Sequence, residues 1–356
     1  MRTDHAHSSR PIRIGSSTGL LLLATAFLLP ATAALASAWD DCISGDTDQV
    51  LRGCSLVIAA GGETAEGRAK AYVARGRAHQ GKGEQEQAIA DFSEAVRYVP
   101  AQAQAFFYRG LALKDLGDLE QAIADFTHAI EIDPKEAEYY NRRALVYEQT
   151  AQDEQAIGDY NMAIKLDPKN PDYVFNRGVS SMLKGEIERA LIDYSQAIRM
   201  NPKEADYFNS RGLAFDGQGK AAEALADYGQ ALQLLPTHVN ALLNRALLHY
   251  KGQRYDPAIA DLTAVIDLSQ SEPEPLARRA LAHLRKGDVA RGLADANKAL
   301  DLDAESVMAL EARGQIHEAQ GKKDLAIADY QRAVALDSLR EESRAALKRL
   351  GVALKN

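Results

Sequence analysis

The sequence predicts an all-α protein, a tandem array of helical hairpins with a capping helix at each end. Three observations predict it. A ten-residue phrase recurs at a constant step of 34 residues. Small and large residues alternate at fixed places within that step. Glycine and proline punctuate it at two further fixed places. Self-similarity of this period is the mark of a repeat array, in which each unit buries its apolar face only by stacking on its neighbours.

The phrase begins as QAIADFSEAV at 87–96 and returns as QAIADFTHAI at 121–130, QAIGDYNMAI at 155–164, RALIDYSQAI at 189–198 and EALADYGQAL at 223–232. PAIADLTAVI, GLADANKAL and LAIADYQRAV continue it. Eight units then tile residues 69–340 without insertion or deletion: 69–102, 103–136, 137–170, 171–204, 205–238, 239–272, 273–306 and 307–340. Each holds two helical patterns, over about positions 1–14 and 17–30 of the unit. Glycine stands between them at position 15 in Gly83, Gly117, Gly185, Gly219, Gly287 and Gly321, where a left-handed residue ends a helix. Proline follows the second pattern at position 32 in Pro100, Pro134, Pro168, Pro202 and Pro236, and blocks its continuation.

Position 8 is always small (Gly76, Gly110, Ala144, Gly178, Gly212, Ala246, Ala280, Gly314), and so is position 20 (Ala88, Ala122, Ala156, Ala190, Ala224, Ala258, Gly292, Ala326). Two helices lacking bulk at these places can approach closely. Position 24 supplies the large partner in Phe92, Phe126, Tyr160, Tyr194, Tyr228, Leu262 and Tyr330, with Ala296 as the exception.

This pattern resembles the tetratricopeptide repeat over about three-quarters of the chain. The second unit carries it in Phe106, Gly110, Ala122, Phe126 and Pro134, and the third in Tyr140, Ala144, Tyr147, Ala156, Tyr160 and Pro168. The resemblance implies a right-handed superhelical solenoid. No unit has Trp at position 4, and units six to eight replace the terminal proline with Gln270, Ala304 and Ser338. The seventh, with Gly292 and Ala296, is expected to pack more loosely.

One regularity is particular to this array. Position 7 is Arg throughout (Arg75, Arg109, Arg143, Arg177, Arg211, Arg245, Arg279, Arg313), and position 23 is Asp throughout (Asp91, Asp125, Asp159, Asp193, Asp227, Asp261, Asp295, Asp329). Planar guanidinium against carboxylate predicts a structural Arg–Asp ladder between packed helices, within or between units. Matched acids would neutralise the row and argue against a catalytic or anion-binding use.

The ends follow different rules. Arg2, Arg10 and Arg13 lead into the uncharged run Leu20–Leu29, and Ala36-Ser37-Ala38 closes the segment. Residues 1–38 therefore read as a signal peptide of an exported, periplasmic or secreted protein, cleaved after Ala38. The alternative is a retained anchor, for which the run is short and broken at Pro30. The formal charge of −8 would become about −10 on cleavage. No spanning segment remains after cleavage. Residues 39–68 read as an N-terminal cap, a half-unit whose helix over Asp46–Ala60 stops at Gly61-Gly62. The two cysteines, Cys42 and Cys54, are expected to pair in an oxidising compartment, for about 3 kcal/mol. Asp40 and Asp41 argue against lipid attachment at Cys42. Residues 341–356 supply a charged C-terminal capping helix.

The acidic balance excludes a nucleic-acid binder, which needs a basic stripe. No nucleophile elbow, phosphate loop, paired-histidine metal motif or dinucleotide fingerprint occurs, so neither enzyme nor cofactor nor metal is expected. His79, His128, His238, His249, His283 and His317 read as scattered, since none lies three or four residues from another. The resemblance implies instead a peptide-binding groove along the first helices, through positions 2, 5, 9, 12 and 13. In the second and third units these positions give Phe107, Leu111, Asn141 and Leu145, and in the fourth Phe175, Val179 and Met182. The fifth and sixth add Asn209, Leu213, Leu247 and Tyr250. Asn141 and Asn209 could hydrogen-bond a peptide backbone, and the apolar stripe points to a protein or peptide partner. Some of these side chains could instead simply pack on the next hairpin. The expected function is a non-catalytic interaction adaptor. The alternatives are a structural or self-associating, homo-oligomeric scaffold of the cell envelope and a regulatory subunit of an envelope enzyme.

Overall fold

A computed structural model describes residues 34–269 and 271–353. The expected signal segment therefore lies outside the described residues up to position 33, as does Gln270. Among the described residues there are helices and no strand, and no helix is long and apolar enough to cross a membrane. The protein is an all-α repeat solenoid in which consecutive helices pack in pairs. It divides into two compact units, one ending at Ala151 and the other beginning at Gln152, so the boundary falls inside the third hairpin.

The N-terminal unit opens with helical residues 34–42, then the cap helix Thr47–Ala60, which begins at Asp46, whose side chain accepts from the Gln49 N–H, and stops at left-handed Gly61. The first hairpin follows as Ala65–Gly81 and Gln85–Tyr98, the second as Ala103–Leu116 and Leu119–Ile132, and then Ala137–Gln149, first helix of the third. Thr64 caps the helix that starts at Ala65. Residues 65–68, the last ones counted with the cap, form the opening turn of the first hairpin's helix.

The C-terminal unit begins with Asp153–Leu166, second helix of the third hairpin. The fourth hairpin is Pro171–Leu183 with Ile187–Met200, the fifth Ala205–Gly217 with Ala221–Leu234, and the sixth Val239–Lys251 with Tyr255–Leu268. The seventh is Pro273–Lys286 with Val289–Leu302, the eighth Val307–Ala319 with Lys323–Leu336, and the terminal helix is Glu341–Arg349.

The hairpin turns use the left-handed residue that the position-15 glycines offer, as at Gly117 (φ 85°) and Gly287 (φ 90°). Ala151 (φ 54°) and Gln253 (φ 59°) take the same conformation without being glycine, so turn geometry is dictated by helix packing even where the local residue resists it. In the first, second, fourth, fifth and eighth hairpins the aromatic ring of position 24 lies on the glycine of position 8. A methyl group on Gly110 would stand 2.9 Å from the Phe126 ring, and one on Gly212 2.8 Å from Tyr228. Overpacking of that kind costs about 1–3 kcal/mol. Where position 8 is alanine in the sixth and seventh hairpins, its partner shrinks to Leu262 and Ala296.

The seventh hairpin is not loose. Ile316, fully buried, reaches from the eighth hairpin to the bare backbone of Gly292, within 3.3 Å of where a methyl group would sit. It joins Ala280, Ala296 and Ala299 in one apolar cluster. A large residue supplied by the neighbour replaces the missing ring.

Candidate interaction surface and the ladder behind it

Positions 5, 9 and 12 share one face of each first helix, and positions 7 and 11 stand on the opposite face. The ladder arginine is therefore turned away from the groove positions. In seven hairpins, each held within one compact unit, Arg at position 7 makes a two-pronged bond to Asp at position 23 of the same hairpin. Nε donates to Oδ2 at 2.7–3.0 Å and Nη2 to Oδ1 at 2.6–2.8 Å. The two members of the remaining pair, Arg143 and Asp159, stand in different units. The carboxylates are buried, and their hydrogen bonds hold the guanidinium groups of Arg75, Arg109, Arg245, Arg279 and Arg313 above the ordinary arginine value.

The third nitrogen, Nη1, reaches the preceding repeat. It donates from Arg75 to Ser55 (3.0 Å), Arg109 to Ser93 (3.1 Å), Arg143 to Thr127 (2.9 Å) and Arg177 to Asn161 (2.8 Å). The series continues with Arg211 to Ser195 (3.2 Å), Arg279 to Thr263 (2.9 Å) and Arg313 to Asn297 (3.2 Å). All these acceptors share position 25, counting Ser55 by its alignment beside Cys54. Gly229 takes that place before Arg245 and has no side chain to offer. The ladder is thus both an intra-hairpin clamp and an inter-hairpin link. With its nitrogens spent inside the scaffold, it leaves little for an external anion.

The groove residues divide by depth. In the N-terminal unit the half-buried Phe107 ring lies 4.9 Å from Tyr139 and 5.9 Å from Phe126. Leu111 packs in the cluster around Phe126 and Val146. Asn141 is buried and donates to Glu138 (3.2 Å), and Leu145 is half-buried. Phe107 and Leu111 thus help to join one hairpin to the next.

In the C-terminal unit Phe175 lies 4.7 Å from Tyr207, and Val179 and Met182 pack on Tyr194 and Ala214. Asn209 is buried, and its Oδ1 accepts from Asn244 (3.1 Å). Leu213 (46% exposed) and Leu247 (36%) are open to solvent. The open apolar surface continues as a cleft of about 200 Å³ walled by Leu243, Leu247, Tyr250, Leu281 and Met308, with Arg278, Gln315 and Glu342 at its edge. Beside it, the first helix of the eighth hairpin and the terminal helix line a cleft of about 810 Å³ with a mixed polar and apolar lining that includes Arg285, Glu318 and Arg349. Met308 and Gln315 occupy positions 2 and 9 of the eighth unit. Carrying the same register one unit further along the sequence would have found them.

Each end of the array is locked. Cys42 and Cys54 form a disulfide, and both are buried. Trp39 Nε1 donates to Glu63 at 2.8 Å beside it. At the other end Arg340 and Ser343 converge on buried Glu311, and Arg349 binds Glu318 at 2.8 Å. Tyr330 also donates to Glu318, and burial pushes its hydroxyl well above the ordinary phenol value.

Comparison with known proteins agrees with this architecture. Profiles described as tetratricopeptide repeat match residues 69–101, 137–170, 175–238, 209–273 and 278–341, and one described as TPR repeat matches 110–150. The fold is similar to a crystal structure of a tetratricopeptide repeat protein from Parabacteroides merdae. That match has TM-score 0.54 and 23% identity over 70% of this chain and 98% of that one. It is similar to pilF of Pseudomonas aeruginosa, with TM-score 0.52 and 22% identity over 62% and 97% of the two chains. A chain of the Cut9–Hcn1 hetero-tetramer of the APC/C gives TM-score 0.55 at 14% identity, over 89% of this chain and 62% of that one. Among curated proteins none matches. On its repeat profile and its stacked hairpins, the chain belongs to the tetratricopeptide repeat family.

Proposed function

We propose that this protein is an exported, non-catalytic adaptor that holds a segment of a partner polypeptide against the inner face of its C-terminal hairpins. Proteins of this fold generally mediate protein–protein interactions. The observation that carries the reading is the apolar surface of Leu213, Leu247 and the adjoining cleft, which the chain's own packing leaves open. Exposed apolar area with a polar rim is the usual form of a partner site. Export is supported by the signal-like residues 1–38 and by the Cys42–Cys54 disulfide, which persists only in an oxidising compartment.

The test is affinity capture from the native envelope fraction, comparing the parent protein with the Leu213→Glu/Leu247→Glu variant. Both side chains are solvent-exposed, so the helical circular dichroism should be unchanged. The specifically captured proteins should fall at least about tenfold, the loss expected when an interface core receives unpaired charge. An identical captured set from a folded variant would overturn the groove assignment.

A further inference from the structure

Four of the histidines are not scattered. His79, His249, His283 and His317 all occupy position 11, one helical turn beyond the ladder arginine. In the sixth, seventh and eighth hairpins they are consecutive. There the Nδ1 atoms of His249, His283 and His317 are buried without a hydrogen-bond partner. Nε2 of His283 lies 3.9 Å from Asp295 Oδ2, and Nε2 of His317 lies 3.8 Å from Asp329 Oδ2, both beyond hydrogen-bond length. Each of those carboxylates is already committed to its arginine.

A neutral imidazole leaves only a lone pair at such an Nδ1, whereas a protonated one places a charged N–H there with nothing to accept it. The surrounding charges do little to help. His249 faces Asp261 but also Arg245 and Arg254. His283 faces Asp295 and Asp288 against Arg279 and Arg291, and His317 faces Asp329 against Arg313 and Lys322, with the Gln320 side chain the smallest of the influences on it. His79 is the counter-example. Its Nδ1 lies 2.6 Å from Glu84, a carboxylate ready to take the proton's bond. Glu84 is at position 16, where the sixth and eighth hairpins carry Arg254 and Lys322 and the seventh carries Asp288, whose carboxylate is already engaged by Arg291 (2.9 Å).

We propose that the sixth to eighth hairpins form an acid-triggered segment, in which protonation of three aligned histidines with buried, unpartnered Nδ1 atoms loosens the ladder and opens the cleft those hairpins line. The first hairpin, whose histidine has its own carboxylate, stays closed. Burial holds all three imidazoles below their ordinary value. The unfolded segment therefore binds more protons than the folded one below about pH 6.5. Stability is complete above that pH and is lost as pH falls from there toward the folded-state value.

The test is hydrogen exchange of the full chain at pH 7.5 and pH 5, each corrected for intrinsic exchange rate. Peptides within Val239–Leu336 should lose at least about tenfold protection at the lower pH, while those within Ala65–Tyr98 keep theirs. The His249→Leu/His283→Leu/His317→Leu variant takes a residue the array already uses at this position, Leu113. It should remove the selective loss. Equal loss throughout the array, or loss that persists in the variant, would overturn the proposal. Imidazole titration of the parent protein by NMR gives a reading independent of the variant's folding. The three resonances should titrate below about pH 6.5, and titration at or above that value would also overturn it.

Discussion

The two ends of the array are closed in opposite ways. At the N-terminus a covalent bond joins Cys42 to Cys54, and the incoming backbone lies so close to Gly53 that a methyl group there would stand 2.5 Å from the Cys42 nitrogen. At the C-terminus the terminal helix is held by charge, with Arg340 and Ser343 on Glu311 and Arg349 on Glu318. A disulfide acts mainly by restricting the unfolded chain, and is indifferent to salt. A partly buried ion pair acts in the folded state, and is set by pH and local solvation. The lesson is that the two ends are held by different chemistry, a covalent bond at the first and paired charges at the second.

Breaking the staple should have the largest effect. Cys42→Ser should cost about 3 kcal/mol locally, seen as faster hydrogen exchange over Thr47–Ala60 with the terminal helix unaffected. Exchange that rises equally at both ends would mean that the caps are coupled. Next is Glu311→Ala, which leaves Arg340 only its longer approach to Glu342 (3.8 Å) and strands the buried Ser343 hydroxyl. Removing that acceptor should cost about 2 kcal/mol and expose Glu341–Arg349 first. A terminal helix as well protected as in the parent would show that its apolar contacts through Leu347 suffice. Smallest is Arg349→Ala, at a side chain more than half exposed (58%), expected to cost about 0.5 kcal/mol and to vanish at high salt. A larger, salt-independent change would move Glu318 from the rim to the core of this closure.

Much of the fold was legible because a 34-residue period samples the same environment again and again. The Gly110–Phe126 contact, the buried Ala88 and the left-handed Gly117 each appear in the sequence as a column of like residues. Ala151 and Gln253 show the limit, since helix packing imposes a glycine conformation on residues that do not announce it. The Arg–Asp columns were plain, but a column does not say which member pairs with which, and the bonds close within a hairpin. Position 25 escaped notice because Ser93, Thr127 and Asn161 are chemically unlike and look like ordinary surface polar residues. They have in common only an oxygen within reach of the next arginine. The histidine column was missed because neighbours were sought one turn apart instead of one repeat apart. Groove lining was only half legible, since Asn209 and Phe175 turned out to lock hairpins together while Met308 and Gln315 border open space.

The position-25 bond has a consequence for how such a protein changes length. Seven of the eight position-7 arginines find an oxygen from the repeat before them, whether the carrier is Ser, Thr or Asn, and only Arg245, which follows Gly229, does not. This bond is generic, so a hairpin that is duplicated or lost through in-frame recombination keeps it, while neighbour-specific contacts such as Ile316 against Gly292 must be supplied anew. Open inner-face residues such as Leu213 and Leu247 are spared that constraint and are free to diverge. The ladder thus standardises the coupling between parts, and leaves each part's recognition surface to vary on its own.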